Sequence, residues 1–221
     1  MHNPDADSYY FGQVPSTAAS EAFQFHQSVA SSDEHIWPRT EQQIYQYAND
    51  GQLFGVRSGQ SGPFIALCYV ALNSAEKEFE LGGLTVARAV QRMRIGTVLA
   101  RLALAYTMVY EQPWRNDQEV IAHVHEENQD PRKLLKTLGF EYLHPIELPG
   151  NQAPPSMKRN PAGNVVGDKF RFTRDGLQLL SNWFNQEFSD TRVGGAKVVV
   201  DMDLVTFDYL KKTLTALASE G

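Results

Sequence analysis

Apolar residues recur along the chain with two different periods, and the places where the period changes mark out the elements. Glu21 to Ala30 and Thr40 to Asn49 carry helical spacing, the second opening just after Pro38 and closing at Asp50-Gly51. Three apolar runs follow, Leu53 to Arg57, Phe64 to Leu72 and Phe79 to Val86, parted by Ser-Gly-Gln-Ser-Gly-Pro and Asn73-Ser-Ala-Glu-Lys-Glu. Runs of this length between turn residues predict strands, here an antiparallel meander. Helical spacing then returns at Ile95, Val98, Leu99, Leu102, Ala103, Tyr106, Val109 and Tyr110 until Pro113 stops it, which predicts a largely buried helix.

Val120 to Val124 reads as a strand, Asp130-Pro131 opens a further helix that Gly139 closes, and Glu141 to Leu148 reads as a strand again. Residues 149–164 hold four of the eleven prolines and form a loop. Beyond it the pattern predicts a strand at Lys169 to Phe172, a helix from Asp175 to Phe188, a strand at Lys197 to Met202 and a helix from Leu204 to Ala218. Helical crossovers between strands require parallel neighbours, so the class is α/β (α+β), a mixed central β-sheet flanked by helices. The expected organisation is an N-terminal segment and first helix (1–35), a core (36–148), the Pro-rich loop (149–165) and a C-terminal strand-helix extension packing on the core (166–221).

Composition narrows the class of protein. The chain of 221 residues is 42% hydrophobic with a net charge of −6, enough apolar surface for a core and too little net charge for disorder. Cys68 stands alone, which removes internal disulfides and cysteine-based zinc sites and points to a reducing compartment. The apolar stretch Ile95 to Tyr110 is interrupted by Arg101 and falls short of a membrane span, and the opening MHNPDADSYY lacks a basic segment followed by an apolar run. The expectation is therefore a cytoplasmic protein without membrane contact, its first ten residues loosely held. Residues 81–110 hold Arg88, Arg92, Arg94 and Arg101 and no carboxylate, a local cationic island suited to an anionic ligand rather than to a nucleic-acid track.

The chemistry concentrates where the third strand of the meander runs into that island. Phe79-Glu-Leu-Gly-Gly-Leu-Thr-Val86 leads through Gln91-Arg-Met-Arg-Ile-Gly-Thr97 into the buried helix. A helix N-terminus offers free N–H groups and the positive end of its dipole, Gly96 admits a close ligand, and Gln91, Arg92 and Arg94 add charge and hydrogen bonds for a pyrophosphate. The alternative is a core helix with solvated arginines.

This segment resembles the coenzyme A loop of the GNAT-type N-acetyltransferase superfamily, Gln/Arg-x-x-Gly-x-Gly/Ala ahead of a helix. Arg94 stands where that pattern has its first glycine. Downstream, Val120-Ile-Ala-His-Val-His-Glu-Glu-Asn128 and Pro131-Arg-Lys-Leu-Leu-Lys-Thr-Leu-Gly-Phe140 resemble the same family's fifth strand and following helix. The resemblance covers residues 36–148. It implies a fourth and fifth strand splayed around an acyl-CoA such as acetyl-CoA. Leu84, Thr85 and Val86 would lie along pantetheine, the N–H groups of Arg92, Met93, Arg94, Ile95, Gly96 and Thr97 on the pyrophosphate beside Gln91, and Asn128 and Arg132 on the other side. A main-chain N–H near Thr85 or Val86 would stabilise the oxyanion.

An attacking amine must be neutral, which calls for a general base or a water relay. Glu80 is the candidate base, four residues before Leu84 and so on its face under strict alternation. His125, with His123 two residues away on the same strand face and Glu127 continuing it, is the alternative base; no third ligand at a diagnostic spacing points to a metal. The family's leaving-group tyrosine falls on Leu135. The implied function is N-acetylation of a primary amine of a small molecule or protein, the alternative a non-catalytic acyl-CoA-binding or regulatory protein. An acidic chain favours a cationic acceptor. Leu177, Leu180, Trp183, Phe184 and Phe188 form an amphipathic stripe, read as core-facing or as a homodimer contact.

Overall fold

The computed structural model describes residues 8–188, 191–201 and 204–220. Its elements in chain order are β1 (Ser8–Gln13), α1 (Ala19–Ala30), α2 (Glu41–Asn49), β2 (Leu53–Ser58), β3 (Phe64–Asn73), β4 (Glu78–Val86), α3 (Ile95–Tyr106), β5 (Glu119–His125), α4 (Gln129–Leu138), β6 (Phe140–Leu148), β7 (Val165–Phe172), α5 (Arg174–Asn182), β8 (Arg192–Val193), β9 (Ala196–Val200) and α6 (Leu204–Ser219). Among the described residues the strands make one sheet in the order β6-β7-β5-β4-β3-β2-β1-β9-β8. The meander β2-β3-β4 is antiparallel, β4 and β5 are parallel with α3 crossing between them, and β7 lies antiparallel between β5 and β6. At the other end β1 pairs antiparallel with β2 and parallel with β9.

Two apolar layers clamp this sheet. One face carries Val14, Ala19, Ala22, Ile44, Leu53, Leu67 and Tyr69 beneath α1 and α2. The other carries Cys68, Val70, Phe79, Val120, Ala122 and Phe170 beneath α3 to α6. α3 is buried on nearly every side, and its alanines at 100, 103 and 105 let neighbouring backbones approach closely. Arg101, expected in the cationic island, instead stacks its guanidinium over Trp183, 4.9 Å from the ring centroid. Thr40 caps α2 in a reciprocal box, its hydroxyl accepting from the Gln43 N–H and Gln43 accepting from its own.

Several elements differ from the sequence reading. Ser8–Gln13 is a strand rather than a loose end. Its aromatic run Tyr9-Tyr10-Phe11 hides the alternation of a strand, yet Phe11 is fully buried, worth about 1.5–3 kcal/mol. α3 ends at Tyr106 and continues as a π-helical turn through Glu111, where the Thr107 hydroxyl donates to the Ala103 carbonyl at 3.0 Å. α5 gives way to a similar turn at Trp183–Glu187. Its stripe, Leu177, Leu180, Trp183 and Phe184, is buried in the core with Phe188 packed against it, the core-facing alternative of the sequence reading. Met202 lies outside the described residues. Among the described residues no helix is long and apolar enough to cross a membrane.

His26 is the buried polar group that ties α1 to the loop before α2: its Nε2 accepts from the Arg39 N–H at 3.2 Å. Burial, aided by the Arg39 charge, lowers its pKa from 6.5 to about 4. The unfolded chain takes up this proton first, so the stability present above pH 6.5 is lost progressively as the pH falls toward 4. Urea unfolding is expected to show a fall of about 2–3 kcal/mol on going from pH 7 to pH 4.5, and His26→Gln should flatten it. The carboxylates Glu21 and Glu80, held in the fold below their ordinary value of 4.5, add their own loss of stability only as the pH nears 4.5 and falls beneath it.

Candidate active site

The parallel pair β4-β5 holds register over three residues, Glu78 to Glu80 against Glu119 to Ile121, and then the strands part into a fork. Just beyond the parting point β4 contains a bulge. Tyr69 lies opposite Gly82 and Leu67 opposite Thr85, so β4 fits one more residue than β3 over the same stretch. Gly83 takes the extra turn at φ +58°, and a Cβ there would meet the Tyr69 ring at 2.6 Å; one on Gly82 would run into the same ring. The bulge inverts the alternation that the sequence suggests. Leu84 and Val86 pack against the α3 layer, whereas Glu80 and Thr85 face the α1/α2 side, so Glu80 and Leu84 lie on opposite faces. Thr85 is fully buried.

Glu80 stands at the mouth of the fork, its side chain 29% exposed. His123 of β5 faces it, Nδ1 to Oε1 at 3.4 Å, with Arg39 at 3.9 Å on the other side. Burial alone would raise the Glu80 pKa. The hydrogen bond from His123 and the charges of Arg39, His123 and Lys169 outweigh it and hold the carboxyl below its ordinary value. A ring proton on Nδ1 donates to Glu80 and leaves Nε2 of His123 as an open acceptor. Lys169 itself closes on Glu78 at 2.5 Å.

His125 has no such freedom. Its Nδ1 accepts from the Glu127 N–H at 3.3 Å, so its ring proton sits on Nε2, 3.2 Å from the Lys158 carbonyl. The ring is buried and packs edge-on against His35, their centroids 4.9 Å apart. Glu127 forms an ion pair with Lys158 at 2.5 Å, and Trp37 packs with Ala153, Met157 and Val165, so the Pro-rich loop closes this wall. Among the described residues no cluster of three or more His, Cys, Asp or Glu forms a metal site.

The loop ahead of α3 has an unusual backbone. Arg92 and Arg94 both take left-handed conformations, φ +65° and +67°, and no side chain caps α3. Its first N–H groups, over Ile95 to Thr97, therefore have no side-chain cap at the positive end of the dipole, and Arg92 and Arg94 just before them are exposed. Arg94 itself adopts the conformation for which a glycine is suited. Gly96 answers a packing need, since a Cβ there would lie 3.3 Å from Val86 and 3.5 Å from Leu84. Gln91 Nε2 donates to the Val86 carbonyl at 3.3 Å. Met93 reaches the turn of the β8-β9 hairpin, where a Cβ on Gly194 would meet its sulfur at 2.7 Å. The arrangement provides an anion cradle at one end of an open strand edge and a carboxylate-imidazole pair at the other.

This geometry agrees with the sequence comparison, in which the model of the Acetyltransferase (GNAT) family matches residues 14–140. The chain belongs to the GNAT acetyltransferase family. Among solved structures of similar fold are the ribosomal-protein-S18-alanine N-acetyltransferase from Escherichia coli, at 15% identity and TM-score 0.52 over 74% of this chain and 92% of that one. A GNAT acetyltransferase from Streptococcus pneumoniae aligns at 11% identity and TM-score 0.55 over 74% and 98%, and a spermidine N-acetyltransferase chimera from Vibrio cholerae at 13% and 0.53 over 78% and 98%. At these identities the likeness is one of fold. No curated relative matches the chain in sequence.

Three residues singled out in the sequence lie on or next to α4. Arg132 is an ion-pair partner of Asp168 on β7, which seats α4 against the sheet. Asn128 precedes α4 without capping it through its side chain. Leu135 is buried in the α3 layer and brings no proton donor to the fork. Arg39 and Tyr69 were missed, since nothing local marks either as near Glu80. The Gly82-Gly83 pair inside a strand was a legible bulge signal.

A left-handed arginine costs roughly 1 kcal/mol that a glycine does not incur. Arg94→Gly is expected to raise stability by about 0.5–1 kcal/mol in urea unfolding, and Arg94→Val to lower it by about 1–2 kcal/mol. Equal stability of the two variants would show that the loop does not hold this conformation.

Proposed function

We propose that the protein transfers the acetyl group of acetyl-CoA to a primary amine of a small molecule or protein by direct attack. The observation that carries this reading is the Glu80-His123 pair at the mouth of the β4-β5 fork, with an uncapped helix N-terminus at the fork's far side. The residues present fit acetyl-CoA, which supplies the acetyl group as an activated thioester. The main chain of Leu84, Thr85 and Val86 would run beside pantetheine. The N–H groups from Arg92 to Thr97, with the guanidinium groups of Arg92 and Arg94, would hold the pyrophosphate. Asn128 would face the cofactor from β5's end, while Arg132 keeps its place on Asp168 and supports α4.

An amine reaches the site protonated and must lose that proton to attack. A carboxylate held below its ordinary pKa is a weak acceptor, whereas an imidazole suits the task near neutral pH. His123 Nε2 takes the proton. Glu80 fixes the ring tautomer through Nδ1 and stabilises the imidazolium that results, so the base of this site is the pair with His123 in front. His125, with both nitrogens engaged, orders the wall behind it. With Leu135 buried, this chain's side chains act on the amine side of the reaction. The net charge of −6 favours a cationic acceptor, and the single buried thiol of Cys68 accords with the cytoplasm.

The buried Leu135 also motivates a second reading, an acyl-CoA-binding protein without turnover. Thiol release from acetyl-CoA with a panel of amines separates the two. His123→Gln and Glu80→Gln are expected to lower kcat by about 10²–10⁴ while the acetyl-CoA Kd in calorimetry stays within about twofold. Tight binding by the unaltered chain without thiol release for any amine would favour the second reading. An undiminished rate in His123→Gln would remove the histidine from the chemistry.

A further inference from the structure

Arg39 lies in the connection between α1 and α2, directly beneath the β4 bulge. Its main chain is pinned from two directions by α1. The N–H donates to His26 Nε2 at 3.2 Å, and the carbonyl accepts from Gln27 Nε2 at 2.7 Å. Its guanidinium lies over the Tyr69 ring, 4.9 Å from the centroid, donates through Nη2 to the Tyr69 hydroxyl, and stands 3.9 Å from Glu80 Oε1. Only 15% of the side chain is exposed, and its Nε is buried without a partner among the described residues. Burial of a cation is costly unless specific geometry returns the loss. Here the geometry joins α1, the ring that supports Gly82 and Gly83, and the carboxylate at the fork.

We propose that Arg39 is a positioning residue of the acyl-transfer site, acting through Glu80: anchored to α1 and to the Tyr69 ring under the glycine bulge, it fixes the Glu80 carboxylate against His123. The inference rests on the reading that Glu80 and His123 handle the amine's proton. Five groups face Glu80: Arg39 from the loop, Tyr47 from α2, Tyr69 from β3, His123 from β5 and Lys169 from β7. Burial holds both tyrosines protonated and therefore neutral. Lys169 is already closed on Glu78. Arg39 is thus the permanent cation left to act on Glu80, and its rigid attachment converts that attraction into a fixed position.

The test compares Arg39→Gln, Arg39→Lys and Tyr69→Phe with the unaltered chain by two readouts. One is the titration of the Glu80 carboxyl, followed by NMR on protein labelled with carbon-13 glutamate. The other is the pH dependence of kcat/KM. In Arg39→Gln the Glu80 midpoint is expected to rise by about one pH unit or more, and the acid limb of kcat/KM to shift upward as the Glu80-His123 pair loses its neighbouring cation. In the same variant kcat should fall about tenfold while the acetyl-CoA Kd stays within about twofold, and Arg39→Lys should restore most of both. Tyr69→Phe keeps the ring against the glycines and frees the guanidinium, so it should move the midpoint the same way by less. An unmoved Glu80 midpoint in folded Arg39→Gln overturns the inference; if that variant does not fold, an unmoved midpoint in Tyr69→Phe does so. Should the unaltered chain acetylate no amine, the functional reading falls while the NMR midpoint still decides the role of Arg39.

Discussion

The parting of β4 from β5 depends on one packing contact, the Tyr69 ring against Gly82 and Gly83. Parallel strands in register would continue to exchange hydrogen bonds unless something prevents it. The extra residue in β4 does. With Gly83 left-handed and Tyr69 filling the space where two Cβ atoms would lie, the strand turns its edge away after Glu80. The same contact decides which side chains look into the α1/α2 layer. Glu80 precedes the bulge and Thr85 follows it on the same face, while Leu84 and Val86 are sent to the α3 side, where they meet Gly96. A single bulge therefore opens the cleft, sets the carboxylate at its mouth and seats the helix whose N-terminus closes its far end.

Much of this was legible along the chain because the signals are local. Thr40 with Gln43, the three apolar runs of the meander and the turn at Gly139, left-handed at φ +87°, all depend on residues within a few positions of one another. The loop running into an uncapped α3 was legible for the same reason, including Arg94 at a position suited to glycine. What was not legible depends on register between distant segments. Alternation placed Glu80 with Leu84 because it assumes an unbroken strand, and His123 and His125 could not be told apart because they share a face. Their difference comes from what lies across from each: Glu80 for one, the Lys158 carbonyl and the Glu127 N–H for the other. Arg39 sits in an unremarkable Trp-Pro-Arg-Thr run, and only the tertiary fold brings it under Tyr69.

The left-handed arginines of the loop ahead of α3 bring local propensity and tertiary structure into direct opposition. Neither Arg92 nor Arg94 favours φ near +65°, and a free loop would leave that region. The loop is held at both ends, by Gln91 on the Val86 carbonyl and by Ile95 in the core, and between them Met93 is pressed against the hairpin turn at Gly194. That turn has Gly194 and Gly195 at φ +57° and +87° between the paired Val193 and Ala196, which matches a two-residue type I′ hairpin. Strain at the cradle is thus balanced by packing from the last part of the chain.

The C-terminal residues are accordingly bound up with the site from both ends of the sheet. β7 supplies Lys169 next to Glu78 and Glu80, and Asp168 next to Arg132; the hairpin at the opposite edge supplies the surface beneath Met93. The β7 contacts require a strand from beyond the Pro-rich loop to insert between β5 and β6, and the Met93 contact requires β9 to add beside β1, both pairings of residues far apart in sequence. The bulge, by contrast, is built from neighbours: β3 and β4 lie within one meander. The order of dependence follows. The meander carries the bulge in its own short-range pairing, whereas the charges around Glu80 come from separate segments, Arg39 before β2, His123 on β5 and Lys169 on β7, which is why the bulge can be read from glycines and tyrosine while the electrostatics requires the whole sheet.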